Sequence, residues 1–327
     1  MTQTAGRRLF DAYVFVDWSA RNMPSPARPE PDTIWVGKYA AGEAAPRETY
    51  CRTRESATAH VFGALREHVL AGRRVLVGCD FPYGYPVGFA AGLGLGGRPP
   101  AWRAIWTALA CRIRDGPDNR ANRFQVAAAL NARLGGVAPG PFWGCPAAAE
   151  TATLRRTSPG FAYPLGEGRS LARLRLADRR VAGVQEVWKL YGVGSVGSQA
   201  LLGIPRLHWL RYHPDLAPLS RVWPFETGFT PTPAPAEGPF VLHAEVWPGI
   251  LPAATAAAEI AASGAIRDQA QVRLLCRWAA ALDAAGRLGD HFDRPDDLDA
   301  AALGAILDEE GWILGESMVR SRRAGRG

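Results

Sequence analysis

An α/β protein built around a mixed, covered sheet is the fold class that the sequence predicts, and three observations predict it. Apolar runs of strand length recur and end in an acid: Tyr13-Val14-Phe15-Val16 before Asp17, and Val75-Leu76-Val77-Gly78-Cys79 before Asp80. Two alternating segments, Ile34 to Tyr39 and Glu48 to Arg52, flank a Gly-containing turn, which is a hairpin signal. Helical periodicity then separates the third and fourth strands and returns toward the C-terminal end.

Taken in order, residues 12–17 form the first strand and the hairpin supplies the next two. Ser56 is the expected N-cap of a helix running to about Ala71, with Val61, Leu65, Val69 and Leu70 on its buried side. Residues 75–80 are too apolar for an edge strand, so the sheet is covered and partly parallel, giving a β-β-β-α-β half. Residues 98–239 read differently. Helices are expected from Trp102 to Arg114 and Asn119 to Leu134, then a long Pro-, Gly- and Arg-rich stretch, then mixed segments at Gln185 to Tyr191 and Leu201 to Tyr212. The run Thr230 to Pro239 is a stiff connector. After it come a strand at 240–246, with Val241-Leu242 ahead of Glu245, a helix from Ile266 to Ala285 and a last helix from about Asp296 to Glu309. The expected organisation is therefore one sheet split into 10–98 and 240–320, a basic, partly helical insertion at 98–239 packed on it, and a basic disordered tail at 321–327.

Composition narrows the class. The chain is 47% hydrophobic and 21% charged, and its longest apolar runs are interrupted well before a bilayer could be crossed, so no membrane span is expected. Met1 to Asp11 lacks the apolar core of a secretory signal, which makes the cytoplasm the default. Cys51, Cys79, Cys111, Cys145 and Cys276 are far apart and unpaired in spacing, which excludes a zinc knuckle or a disulfide framework. The net charge of +7 is uneven: residues 98–221 hold 18 Lys and Arg against 7 Asp and Glu. Within that block Arg155, Arg156 and Arg173 are the expected contacts to phosphate. Oligomeric state is left open.

Carboxylates carry the chemical signal. An acid at the end of a buried strand is costly to desolvate, and Asp17, Asp80 and Glu245 share that placement. Asp296 and Asp299, three apart beside small apolar residues, would share one face of a helix able to dock closely on the sheet. If that helix lay across the strand of Asp17, its acidic face would meet Asp17 and Asp80. A cation would explain such a convergence.

The order of elements, with Val16-Asp17-Trp18-Ser19-Ala20, Cys79-Asp80-Phe81-Pro82-Tyr83-Gly84, Glu245-Val246-Trp247-Pro248, the Asp296 to Leu303 stretch and Glu310-Gly311-Trp312-Ile313, resembles the ribonuclease H-like superfamily and, more narrowly, the DUF429 family of predicted nucleases. The resemblance covers roughly residues 10–98 and 240–315, and leaves the insertion outside. Asp296-x-x-Asp299-Ala also looks like the last helix of Holliday-junction resolvases of this fold, where such acids hold metal. The resemblance implies a ribonuclease H-like mixed sheet and hydrolysis of a phosphodiester, in nucleic acid or a nucleotide, with Mg²⁺ or Mn²⁺. On it, Asp17 is the bridging ligand, Asp80 and Asp299 are terminal ligands, and Glu245 or Asp296 is a further ligand or a base that orients water. Ser19 and Lys38 are the expected phosphate contacts in the core. One departure stands out: the fourth-strand acid falls in an Asp-Phe-Pro turn.

Three other readings compete. Asp17-Trp18-Ser19 would suit a nucleotide-binding ATPase or phosphotransferase-like accessory protein, for example in nucleotide-containing cofactor metabolism, though no duplicated half is found. Gly192-Val193-Gly194-Ser195-Val196-Gly197, with Asp215 downstream, matches a dinucleotide-binding pattern, but Lys189 sits where the strand should be apolar and Pro205 should stop the helix early. A non-catalytic binding module is the third, with His243 and Glu245 on the same strand face.

Overall fold

In the computed structural model, which describes residues 7–97, 99–166 and 168–318, the first strand is a fully buried run, β1 (Ala12–Asp17). β2 (Ile34–Ala40) and β3 (Arg47–Cys51) follow as the expected hairpin, then α1 (Arg54–Leu70) and β4 (Arg74–Cys79). The block that follows holds α2 (Phe89–Gly92), α3 (Ala101–Arg112), α4 (Arg123–Gly135), the short hairpin β5 (Tyr163–Gly166) and β6 (Arg169–Leu171), α5 (Leu176–Arg180), α6 (Val196–Tyr212) and β7 (Ser220–Val222). β8 (Phe240–Glu245), α7 (Ala253–Ser263), α8 (Arg267–Ala284) and α9 (Ala300–Ala305) complete the described chain, and the expected tail at 321–327 lies outside it.

The six-stranded sheet has the order β3-β2-β1-β4-β8-β7. β2 is antiparallel to both β1 and β3, while β1, β4, β8 and β7 run parallel. This is the mixed α/β sheet that the sequence predicts. Side chains alternate between two cores. Ala12, Val14 and Val16, with Val75, Val77 and Cys79, face α1, α3, α4 and α6. Tyr13, Phe15, Leu76, Leu242 and Ala244 face α8, through Leu275, Cys276 and Ala279. α8 lies tightly over β2: a Cβ on Gly37 would come 2.9 Å from the Val272 carbonyl oxygen, closer than packed atoms tolerate. Glycine there lets the helix sit against the strand.

Several local expectations are corrected. Thr53, not Ser56, caps α1. Its Oγ1 accepts the Ser56 N–H at 3.1 Å, and the Ser56 Oγ accepts the Thr53 N–H at 3.2 Å, so Ser56 is the reciprocal partner in a capping box. α6 passes through Pro205, because Leu201, Leu202, Ile204 and Leu207 are all buried and their packing outweighs one missing hydrogen bond. The stretch from Asp296 to Glu309 is not one helix. Asp299 caps the six-residue α9, which runs into a π turn at Ile306–Glu310. The 98–239 block is also more than an insertion laid on the sheet. α3 and α6 supply one of the two cores, and β7 pairs with β8 as the sixth strand. Among the described residues the only other sheet is the β5–β6 hairpin, so the duplicated half of a phosphotransferase is not found there. No helix among them is long and apolar enough to cross a membrane.

Candidate functional site

Strand register brings two of the expected acids together. Phe15 pairs with Gly78 and Val16 with Cys79, so Asp17 and Asp80 come next on adjacent parallel strands, on the α8 side of the sheet. The Asp80 N–H donates to the Val16 carbonyl at 3.3 Å. Asp80 Oδ1 accepts the Trp18 N–H at 2.6 Å, which pins the carboxylate across the end of β1. The turn after Asp80 is held from below. Glu245 Oε2 accepts the Tyr83 N–H at 2.8 Å, and a Cβ on Gly84 would fall 2.3 Å from the Glu309 carbonyl oxygen.

A third acid joins them that the sequence reading missed. Asp268, in the first turn of α8, accepts the Thr33 N–H at 3.0 Å just ahead of β2, whose Trp35 lies opposite Asp17. It is itself buried. Burial first, then the charges of Asp80 and Asp268, push the Asp17 carboxyl well above the usual carboxylate range, with Arg267 opposing. Asp80 is pushed up to about 7 by burial, partly offset by the Trp18 N–H and its own backbone, with Asp268 adding repulsion. Asp268 is raised by burial, against the Thr33 N–H, with Asp32 adding repulsion. Two buried acids, Asp17 and Asp268, and the half-buried Asp80 therefore repel one another where the strands end, which in open α/β sheets is where ligands bind. The signal for Asp268 was the small and apolar face of its own helix, Val272, Cys276 and Ala279, which lets α8 lie on the sheet.

The other expected site residues lie elsewhere. Glu245 pairs with Cys79, one register step short of Asp80, so its side chain enters the opposite core. There Arg175 holds it through two contacts, Nη1 to Oε2 at 2.7 Å and Nη2 to Oε1 at 2.6 Å. His243 does share its face, bonded to Ser220 Oγ at 2.8 Å and pushed down to about 3 by burial. Asp299 is exposed, and its Oδ1 accepts the Ala302 N–H at 2.7 Å as a helix cap. Asp296 lies in the turn before α9 and lines a separate surface cavity of about 250 Å³ with His291 and Glu316. Neither reaches Asp17, because α8 and not α9 crosses β1. Ser19 is buried, and its Oγ donates to the Asp32 carbonyl at 3.1 Å. Lys38 pairs with Val14 and so lies on the α1 face, away from the acids. Arg155 pairs with Glu150 at 3.2 Å, and with Arg156 lines an open cavity of about 720 Å³ beside Tyr191; Arg173 pairs with Glu186. None of these three is on the carboxylate face.

Two further points bear on chemistry. The glycine run at 192–197 follows no strand of the sheet, and Gly197 is required by packing: a Cβ would lie 2.3 Å from the Val187 carbonyl oxygen. The dinucleotide reading loses its structural context. Among the described residues, no group of three or more His, Cys, Asp or Glu side chains is arranged to hold a metal ion. Carboxylates are the oxygen donors that hard cations take; of these three, Asp80 and Asp268 accept the Trp18 and Thr33 N–H groups, and no described residue donates to Asp17. Comparison of the chain with family models, with curated proteins and with solved structures returned no match.

Proposed function

We propose that the chain is a Mg²⁺- or Mn²⁺-dependent phosphodiester hydrolase of ribonuclease H-like fold, acting on nucleic acid or a nucleotide, with Asp17, Asp80 and Asp268 as its metal ligands. The observation that carries this reading is the convergence of Asp17 at the end of β1, Asp80 just past β4 and Asp268 in the first turn of α8, each raised by burial and by neighbouring acids, with Arg267 opposing on Asp17. The hairpin-led mixed sheet with Asp17 closing its first strand also supports it. Bound divalent metal would polarise the phosphoryl group and lower the pKa of an attacking water.

The chain's own groups prepare that chemistry. Asp80, fixed through Oδ1 by Trp18, keeps Oδ2 for a ligand, and Asp268, fixed through Oδ2 by Thr33, keeps Oδ1. Asp17, on β1 between β4 and the start of β2, would be the third ligand. Glu245 and Tyr83 hold the turn that positions Asp80. Because the carboxyls bind protons tightly, metal has to displace protons, so affinity is expected to rise from pH 6 to about 8.

The test is calorimetric titration of the protein with Mg²⁺ and Mn²⁺, alongside cleavage of an activated phosphodiester. Asp17→Asn is expected to lose both metal binding and metal-dependent cleavage, by 100-fold or more on the order of a removed catalytic ligand, while circular dichroism stays unchanged. Equal metal binding and turnover in wild type and Asp17→Asn would sink the assignment.

A further inference from the structure

Five arginines among the described residues are at least nine-tenths buried: Arg54, Arg74, Arg123, Arg175 and Arg211. Four meet a carboxylate, namely Asp115, Asp11, the Asp178 and Glu245 pair, and Glu226. Arg123 meets none. Its Nε donates to Ser198 Oγ and its Nη1 to Asn22 Oδ1, both at 3.0 Å, and its guanidinium lies 4.5 Å from the Phe124 ring centroid. Neutral oxygens and an aromatic face soften a buried charge without cancelling it.

Its surroundings deepen the imbalance. The acid that acts on it, Asp115, is already engaged by Arg54, at 2.5 Å, and by Arg206, at 3.0 Å. Arg123 is also the first residue of α4, a 13-residue helix with no acid in its first turn. The N-cap residue, Asn122, turns its Oδ1 to the Arg114 N–H at 2.8 Å and does not cap the helix. A full positive charge thus stands at the positive end of a helix dipole, the unfavourable sign, with the first-turn N–H groups uncapped. Burial and the nearby Arg54 push the guanidinium down to about 10. One ligand type answers every one of these features.

We infer that Arg123 and the first turn of α4 form a binding site for an oxyanion of the phosphate class, beside the Trp18–Asn22 loop that follows Asp17. Arg123 Nη2, which makes no hydrogen bond to a described residue, is the group left to meet it. The same elements brace that loop: Asn22 Oδ1 also accepts the Ala121 N–H at 3.1 Å, and Gln199 Nε2 donates to the Trp18 carbonyl at 2.6 Å. The inference stands on charge balance and does not depend on the carboxylate cluster binding metal, so either can fail alone.

The experiment uses the full chain without divalent metal and titrates inorganic phosphate against sodium chloride of matched ionic strength, by calorimetry and thermal melting. Phosphate is expected to bind and to raise the melting temperature beyond chloride. Arg123→Met should bind phosphate at least tenfold more weakly and lose that stabilisation. Without phosphate it should melt at or above the wild-type temperature, since it removes an unpaired buried charge, whereas a purely structural arginine would cost stability. Arg120→Gln, at an exposed surface arginine, should bind like wild type. If Arg123→Met does not fold, Arg123→Lys, which keeps the charge without the planar fork, should bind several-fold more weakly. A wild type that responds to phosphate no more than to chloride overturns the site, and so does an Arg123 variant with unchanged affinity.

Discussion

Glu245 and Asp80 end neighbouring parallel strands one register step apart, yet they occupy opposite electrostatic worlds. Glu245 enters the core beneath α3 and α6, where fully buried Arg175 grips it and also grips Asp178, at 2.8 Å, while donating to the Glu310 carbonyl at 3.0 Å. Both carboxylates there touch a guanidinium, although burial still raises the Glu245 carboxyl. Asp80 enters the α8 side beside Asp17 and Asp268, and repulsion accumulates. Both sites hold buried acids at strand ends, so burial alone does not mark function. What separates them is a cation in contact: Arg175 touches Glu245 and Asp178, whereas no described salt bridge reaches Asp17, Asp80 or Asp268.

That comparison is broken most forcefully from the balanced side. Arg175→Met leaves Glu245 and Asp178 buried without a counter-charge, and losing one partner of a buried ionic network costs about 3–5 kcal/mol. Urea denaturation should show a loss of that order, or no folded protein at all. Arg175→Met together with Glu245→Gln and Asp178→Asn should recover much of it, because the stranded charges go too. A single mutant as stable as wild type would mean that Arg175 does not hold this core.

The unbalanced side should respond with the opposite sign. Asp80 holds its proton up to about pH 7 in the folded chain, against an ordinary carboxylate value near 4 in the unfolded chain. Between those values the native state carries more protons, so stability without metal falls as pH rises through that window. Asp80→Asn removes the ionisation while keeping the shape, and should stabilise the metal-free protein by roughly 1–2 kcal/mol at pH 8 after allowing for its partial exposure, with little gain at pH 5. Thermal melts at both pH values check the sign. Equal melting temperatures for wild type and variant at pH 8 would show that the repulsion is absent, and with it the reason to expect a cation.

How much of this was legible in the sequence depends on periodicity. β1, β2, β3, β4 and β8 were readable because apolar runs and alternation report burial directly, and Asp17 and Asp80 inherit their positions from the runs before them. The side on which an acid projects was not readable, because register decides it: Val241 and Leu242 announce a strand, but only its pairing shows that Glu245 matches Cys79 and not Asp80. Asp268 is an acid in the first turn of a helix, which is ordinary capping chemistry; the apolar face of α8 announces packing on something, and the Gly37–Val272 contact shows that it is the sheet. The sum of charge over the 98–239 block does not show which arginines are paired: Arg175 meets Asp178, Arg173 Glu186, Arg211 Glu226 and Arg206 Asp115, and only the folded chain shows these pairs.

The smallest expected effect sharpens the comparison at its edge, because Asp299 and Asp268 are both acids at helix starts that accept a backbone N–H. A helix-capping Asp replaced by Ala typically costs about 1 kcal/mol, and for a six-residue, exposed helix such as α9 the cost should fall near 0.5 kcal/mol. Asp299→Ala should therefore lower the urea midpoint slightly and leave Mg²⁺ and Mn²⁺ titrations as in wild type. Asp268→Asn should do the reverse: it keeps an acceptor for the Thr33 N–H and so most of the stability, but it removes a charge that acts on Asp17 and Asp80 and should weaken metal binding at least tenfold. Metal affinity lost in Asp299→Ala and kept in Asp268→Asn would move the third ligand back to the C-terminal helix. α9 would then have to approach β1 across the space that α8 fills.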